Sequence, residues 1–134
     1  MNRRAFVRGL AVLPATGLAM PALAGPRTAG TPAVAVYHFV TPNCEDCHRW
    51  DQRYLPRWLN SGEYRRCLYR RIEGKTVEEA LDPDNWPSAA RPFAASLRHT
   101  PAFLVMRQGR PMAAASGEDA WVQVIWPAIR RAAA

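Results

Sequence analysis

Val34, Val36, Phe39 and Val40 form a β-branched and aromatic run that only His38 interrupts. Such a run reads as a strand covered on both faces. Thr41-Pro42-Asn43 breaks it, and Asn43 is a good helix N-cap directly before Cys44. From there Cys47, Trp50, Tyr54 and Trp58, with Leu55 and Leu59, recur at intervals of three and four, the helical period. Pro56 falls inside this pattern and should kink the helix, and Asn60-Ser61-Gly62 ends it with an αL cap. Tyr64 to Ile72 reads as a second strand. The stretch 73–92 is the hardest to read. Within it Thr76 to Leu81 suggests one or two helical turns with a Thr76/Glu79 capping box, and Asp82 to Pro87 is turn chemistry.

Pro92 to Leu97 starts another short helix, and Thr100 to Met106 is a third strand opened by an X-Pro bond. Gln108-Gly109 turns the chain back into Pro111 to Ala115, a hairpin. Ser116-Gly117-Glu118-Asp119 starts a last helix, kinked by Pro127, with Trp121, Val124, Ile125, Ala128 and Ile129 as its apolar side. The order is β-α-β-(α)-β-β-α, with no internal repeat. At 134 residues the chain is sized for one domain.

The first residues change the picture of where that domain works. Arg3-Arg4 followed by Phe6 and an apolar residue, a moderately apolar stretch from Gly9 to Met20, and Pro21-Ala22-Leu23-Ala24 make a twin-arginine export signal cut after Ala24. The apolar stretch is too short for a permanent membrane span and carries Pro14 and Gly17. Gly25 to about Ala33 is then a linker, 34–134 the domain, and the periplasm its compartment. Loss of Arg3, Arg4 and Arg8 lowers the formal charge from +7 to +4. The other arginines are scattered among acids, with no basic stripe interleaved with aromatics, which argues against nucleic acid as a partner.

All three cysteines lie beyond the signal. Cys44 and Cys47 sit where a buried strand turns into a helix, so unpaired N–H groups and the positive helix end favour a thiolate at the first sulfur. In an oxidising compartment such a pair cycles through a disulfide, leaving Cys67 as an odd, buried small residue. A zinc site would need two further ligands at suitable spacing, and none is evident. Glu45 and Asp46 add negative charge beside Cys44, opposing its thiolate and favouring a reductant or exchange catalyst over a strong oxidant; a protonated His48 counters this in part. Cys44-x-x-Cys47-His48 is also the attachment signature of c-type haem, with His48 and either Met106 or Met112 as iron ligands. The β-like run before the cysteines disfavours that rival. A non-catalytic exported binding module with a structural disulfide is the third reading.

With Cys-x-x-Cys at the first helix and Thr100-Pro101 opening the third strand, the chain from Val34 to about Arg131 resembles the thioredoxin family. The resemblance implies an α/β, thioredoxin-like fold with a central mixed β-sheet flanked by helices, and a cis Pro101 against the disulfide. It implies thiol–disulfide exchange in which Cys44 attacks a substrate disulfide and Cys47 resolves the mixed disulfide. Thr100 and Pro101 would contact substrate. His38 stands where many thioredoxin-like proteins carry a buried acid that handles the second cysteine's proton. It would accept that proton, unless it is simply a core histidine. The expected partners are a protein thiol or disulfide substrate and a membrane or periplasmic thiol electron donor. The protein would act as a monomer with no metal or organic cofactor. Cys44-x-x-Cys47-x-x-Trp50-Asp51 and Gly117-Glu118-Asp119-Ala120-Trp121 look more like small periplasmic thioredoxins of sulfur-oxidising systems than the cytoplasmic protein. The chain departs from thioredoxin in having Asn43-Cys44-Glu45-Asp46-Cys47 in place of Trp-Cys-Gly-Pro-Cys, and a long 73–92 stretch.

Overall fold

The computed structural model describes residues 32–134. The expected export signal at 1–24 and the expected linker up to residue 31 lie outside the described residues. Strand β1 (Val34–Val40) is central: it pairs in parallel with β2 (Cys67–Glu73) and antiparallel with β3 (Ala102–Arg107). β3 in turn pairs antiparallel with β4 (Arg110–Ser116), giving the order β2-β1-β3-β4. A strand between two neighbours, covered on both faces, cannot alternate apolar with polar, which is why the run at 34–40 is nearly continuous. The β3–β4 turn puts both Gln108 (φ 49°) and Gly109 (φ 76°) in the left-handed region, the backbone of the tight hairpin that Gln-Gly announces.

Two cores fill the faces. On one, Val34, Val36, Phe103 and Val105 pack under Trp50, Trp58, Trp121, Ile125 and Ile129. These come from α1 (Glu45–Arg53), α2 (Leu55–Leu59) and the C-terminal helical stretch. The indoles meet edge-on: Trp50 on Trp121 at 4.9 Å, Trp58 on Trp121 at 5.5 Å and Trp58 on Trp126 at 5.7 Å between ring centres. On the other face, Phe39, Ala102, Leu104 and Met106 pack against Leu81, Trp86, Ala90 and Ala94. The stretch from residue 73 onward is therefore the second lid of the sheet. It holds α4 (Val77–Ala80), two short 3-10 turns and α5 (Arg91–Ala94), with Trp86 stacked flat on Phe39 at 4.6 Å.

Several local expectations need correction. The N-cap of α1 is Cys44, whose sulfur accepts the Cys47 N–H, and not Asn43. The predicted long helix is two: α1 ends at Arg53, and Pro56 sits in the first turn of α2, where its missing N–H costs nothing. No αL cap follows at 60–62. Ser61 instead caps a further helix, α3 (Gly62–Arg66), by accepting from Tyr64 N–H, so β2 starts at Cys67 rather than Tyr64. Thr76 caps α4 as the pattern requires, but the Glu79 carboxylate reaches back one residue further, to the Lys75 N–H. At the C-terminus, α6 (Glu118–Ala120) and α7 (Trp126–Ala133) are joined by a π turn at Trp121–Ile125, with Trp126 N–H bonded to Trp121. A proline one residue on has no N–H and a bulky ring, and widening the preceding turn gives that ring room. Val124, expected on the apolar side, is consequently exposed.

Candidate active site

The sequence places Cys44 at the end of the turn that leaves β1, and the fold makes it the first residue to cap α1. Cys44 and Cys47 form a disulfide with Cα atoms 5.1 Å apart. Cys47 N–H donates to the Cys44 sulfur at 3.0 Å, so the helix end that would stabilise a thiolate already faces that atom. Cys44 is partly exposed and Cys47 buried. Across the site the Thr100–Pro101 peptide is cis, and the Cys44 sulfur lies 3.2 Å from the Thr100 carbonyl oxygen. That loop is pinned at two points. The Thr41 and Thr100 hydroxyls are 3.2 Å apart, and Gly117 N–H donates to the Pro101 carbonyl at 2.7 Å. Pro101 is fully buried and Thr100 nearly so.

The charges beside the cysteines are not free. Arg49 pairs with Glu45 at 3.2 Å, with Asp46, and through Nε with Glu118 at 3.1 Å; Arg53 meets the other Glu118 oxygen at 2.8 Å. The two carboxylates between the cysteines are thus drawn toward one guanidinium, which is itself tied to the start of α6. This offsets part of the field that would otherwise oppose a Cys44 thiolate. His48 Nε2 is spent on the Pro42 carbonyl at 3.0 Å.

Beneath α1, His38 is completely buried, stacked on Phe103 at 4.5 Å and against Trp50 at 4.3 Å. Its Nδ1 is 2.8 Å from the Tyr69 hydroxyl, while Nε2 is buried with no hydrogen-bond partner. Burial, and then the Arg71 cation, hold its pKa well below the usual histidine value, so the ring is neutral. Tyr69 is pushed up to about 12, chiefly by burial. Arg71 is clamped to Asp51 of α1 by paired bonds of 2.6 and 2.7 Å. Cys67, expected to be buried, is only half-buried on β2; burial pushes its thiol up.

With this geometry in hand, comparison with solved structures is direct. The chain is similar to Malassezia sympodialis thioredoxin, at 18% identity over 78% of this chain and 81% of that one, with a TM-score of 0.50. It is similar to oxidised thioredoxin from Plasmodium falciparum, at 17% identity over 76% and 83%, TM-score 0.50. The fold is thioredoxin-like. The periplasmic thioredoxin SoxS from Paracoccus pantotrophus, in its reduced form, matches at 24% identity over 75% of this chain and 95% of that one, TM-score 0.49. No protein-family profile and no curated protein matches the chain.

Within this thioredoxin-like domain, Cys44, Cys47 and Thr100-Pro101 come together as one cluster at the end of β1, with His38 on the same strand below α1. The haem ligands do not assemble. Met106 pairs with Ala35, about 16 Å along β1 from Val40 at the strand rise per residue, and Met112 is exposed near that same far end. Among the described residues no cluster of three or more potential metal ligands occurs. Sequence reasoning missed Arg49, Glu118, Tyr69 and Arg71. The last two were legible as a pair at i and i+2, hence on one face of a strand beside β1, had the parallel register been known.

Proposed function

We propose that this protein catalyses thiol–disulfide exchange with protein substrates through the Cys44–Cys47 pair. The observation that supports it most is the placing of the Cys44 sulfur, at once the acceptor of a helix N-terminal N–H and 3.2 Å from the Thr100 carbonyl beside a cis proline. Cys44, the more exposed, attacks a substrate disulfide; Cys47, buried one turn on, displaces the substrate from the mixed disulfide. Thr100 and Pro101 form the floor against which an extended substrate lies, and His38 governs the ionisation of Cys47. The Arg49 pairs moderate the acidic field at Cys44 but leave Glu45 and Asp46 in place, which favours a reductant or exchange catalyst. Residues 1–24 would send it through the twin-arginine route to the periplasm, with a membrane or periplasmic thiol protein as electron donor and the monomer as working unit. The Cys44-x-x-Cys47-x-x-Trp50-Asp51 pattern supports a place beside thioredoxins of sulfur-oxidising systems.

Reduction of insulin disulfides by the protein with dithiothreitol tests the reaction. Wild type should accelerate precipitation of the B chain, and Cys44→Ser should abolish the acceleration while leaving the melting temperature of the reduced protein unchanged. Equal rates for the two would leave only a binding module with a structural disulfide.

A further inference from the structure

We infer that Glu118 is a positioning residue for the exchange reaction. Together with Gly117 it braces the Thr100–Pro101 loop against α1, at the spacing a protein substrate needs. The inference rests on the function proposed above and deepens it, because the brace serves the seating of substrate and not the sulfur chemistry.

The brace begins at the open end of the β3–β4 hairpin. Ala102 pairs with Ser116 in the ladder, so Pro101 and Gly117 are the next residues out on the two strands. Gly117 N–H donates to the Pro101 carbonyl at 2.7 Å and closes that end. It does so at φ 102°, in the region that favours glycine. The very next residue reaches the other wall of the site. Glu118 Oε2 accepts from Arg49 Nε at 3.1 Å, and Oε1 accepts from Arg53 at 2.8 Å. Arg49 and Arg53 are one turn apart and share a face of α1. One dipeptide thus holds the cis-proline loop by its N–H and the helix behind the cysteines by its carboxylate.

Burial decides which member of this network is the anchor. The Glu118 side chain is 10% exposed, against 88% for Glu45 and 47% for Asp46, the other partners of Arg49. Exposed pairs along a helix are weak and are screened by salt. A carboxylate nearly out of water needs its cations far more than a solvated one does. Glu118 therefore fixes Arg49 and Arg53, and Glu45 and Asp46 add little to the hold. The Arg49 fork is fully engaged, with Nε on Glu118 and the two terminal nitrogens on Glu45 and Asp46.

Two further contacts join the walls in the oxidised site. The Cys44 sulfur lies 3.2 Å from the Thr100 carbonyl, and the Thr41 and Thr100 hydroxyls are 3.2 Å apart. A substrate segment seated on Thr100 with its sulfur joined to Cys44 comes between the first pair. Thr41 belongs to the turn before α1 and not to the helix. The link through Gly117 and Glu118 involves neither sulfur, so exchange does not open it.

Insulin and the small hydroxyethyl disulfide separate seating from sulfur chemistry, since the small reagent needs only the Cys44 thiolate. In a Cys67→Ala background, Glu118→Gln should lower kcat/KM for insulin about tenfold, mostly through KM. Oxidation of the reduced protein by hydroxyethyl disulfide should change by less than about twofold. An unchanged insulin rate overturns the proposal. An equal change in both rates also overturns it, because that is the result for a residue acting only as a charge on the thiolate or only on stability. Arg53→Gln should lower the insulin rate in the same direction, and adding it to Glu118→Gln should cost nothing further; losses that multiply overturn the brace. Arg53 is largely exposed, so this variant carries the test if Glu118→Gln upsets the fold. Amide hydrogen exchange of the oxidised protein reads the brace without turnover. Gly117 N–H should exchange about tenfold faster in Glu118→Gln, with the Val36 and Val105 amides at their wild-type rates, and an unchanged Gly117 rate overturns the proposal. Failure of wild type to reduce insulin would sink the enzyme reading, while the exchange rates still decide whether the brace exists.

Discussion

Arg49 is where a single side chain touches the redox chemistry. It holds Glu45 and Asp46 by helical i,i+4 and i,i+3 pairs and reaches Glu118 across the site. Replacing it with Gln removes a positive charge beside Cys44 and frees two negative ones, so the thiolate is less stabilised. The Cys44 pKa should rise by about half a unit and the reduction potential become more negative, read against a glutathione buffer. The change should shrink in high salt because Arg49 is partly exposed. His38 gives a second prediction, in stability. Its native pKa lies below the unfolded value of about 6.5, so on acidification the unfolded chain binds a proton that the native chain refuses. Stability is therefore fully present above about pH 7 and falls through the range below it, by at most about 1.4 kcal/mol per pH unit for this one group. Denaturant titrations at stepped pH should show the loss in wild type and a shallower slope in His38→Asn.

At the level of elements, Gly74 is the closest joint in the fold. Its N–H bonds to the Val40 carbonyl at 3.0 Å, just where β1 and β2 end and α4 comes down on them. A Cβ there would run into the Ala80 backbone, at 2.6 Å from its Cα and closer still to its nitrogen. Since the obstacle is backbone, the clash cannot be relieved by a rotamer, and Gly74→Ala should destabilise by about 3 kcal/mol in urea melts. The sequence announced none of this, because a glycine after a strand reads first as a turn. What it did announce were the strands and the hairpin, whose apolar runs and Gln-Gly turn depend only on local preference. Helix boundaries were less legible. Pro56 and Pro127 signalled trouble without saying which kind, since a proline can open a helix, kink it or widen it into a π turn, and packing decides.

For the whole molecule, the mixed sheet flanked by helices and the cis Thr100–Pro101 peptide were implied by the thioredoxin resemblance, and the disulfide at the start of α1 by the Cys44-x-x-Cys47 motif; the strand order was not predicted. Nor was the second core. Trp86, Ala90 and Ala94 have no periodicity to declare them, because Trp86 follows a single 3-10 turn and Ala90 and Ala94 are each the one buried residue of a short turn. For the same reason the candidate site was legible at its sulfur atoms and not in its supports. Cys44 and Cys47 are close in sequence, whereas His38 to Tyr69 and Arg49 to Glu118 are contacts that only the finished fold creates.

The outer position of β2 carries a consequence for how copies of the protein meet. Among the described residues nothing pairs with its far side, so a row of backbone donors and acceptors faces outward, the surface by which sheets fuse into aggregates. Arg70 and Arg71 lie on that strand and Arg65 and Arg66 just before it, at the end of α3; among the described residues Arg65, Arg66 and Arg70 have no ion pair. Two molecules approaching border to border would press like charge on like charge before the first interstrand bond could close. The arginines would work as a fender against such edge-to-edge pairing.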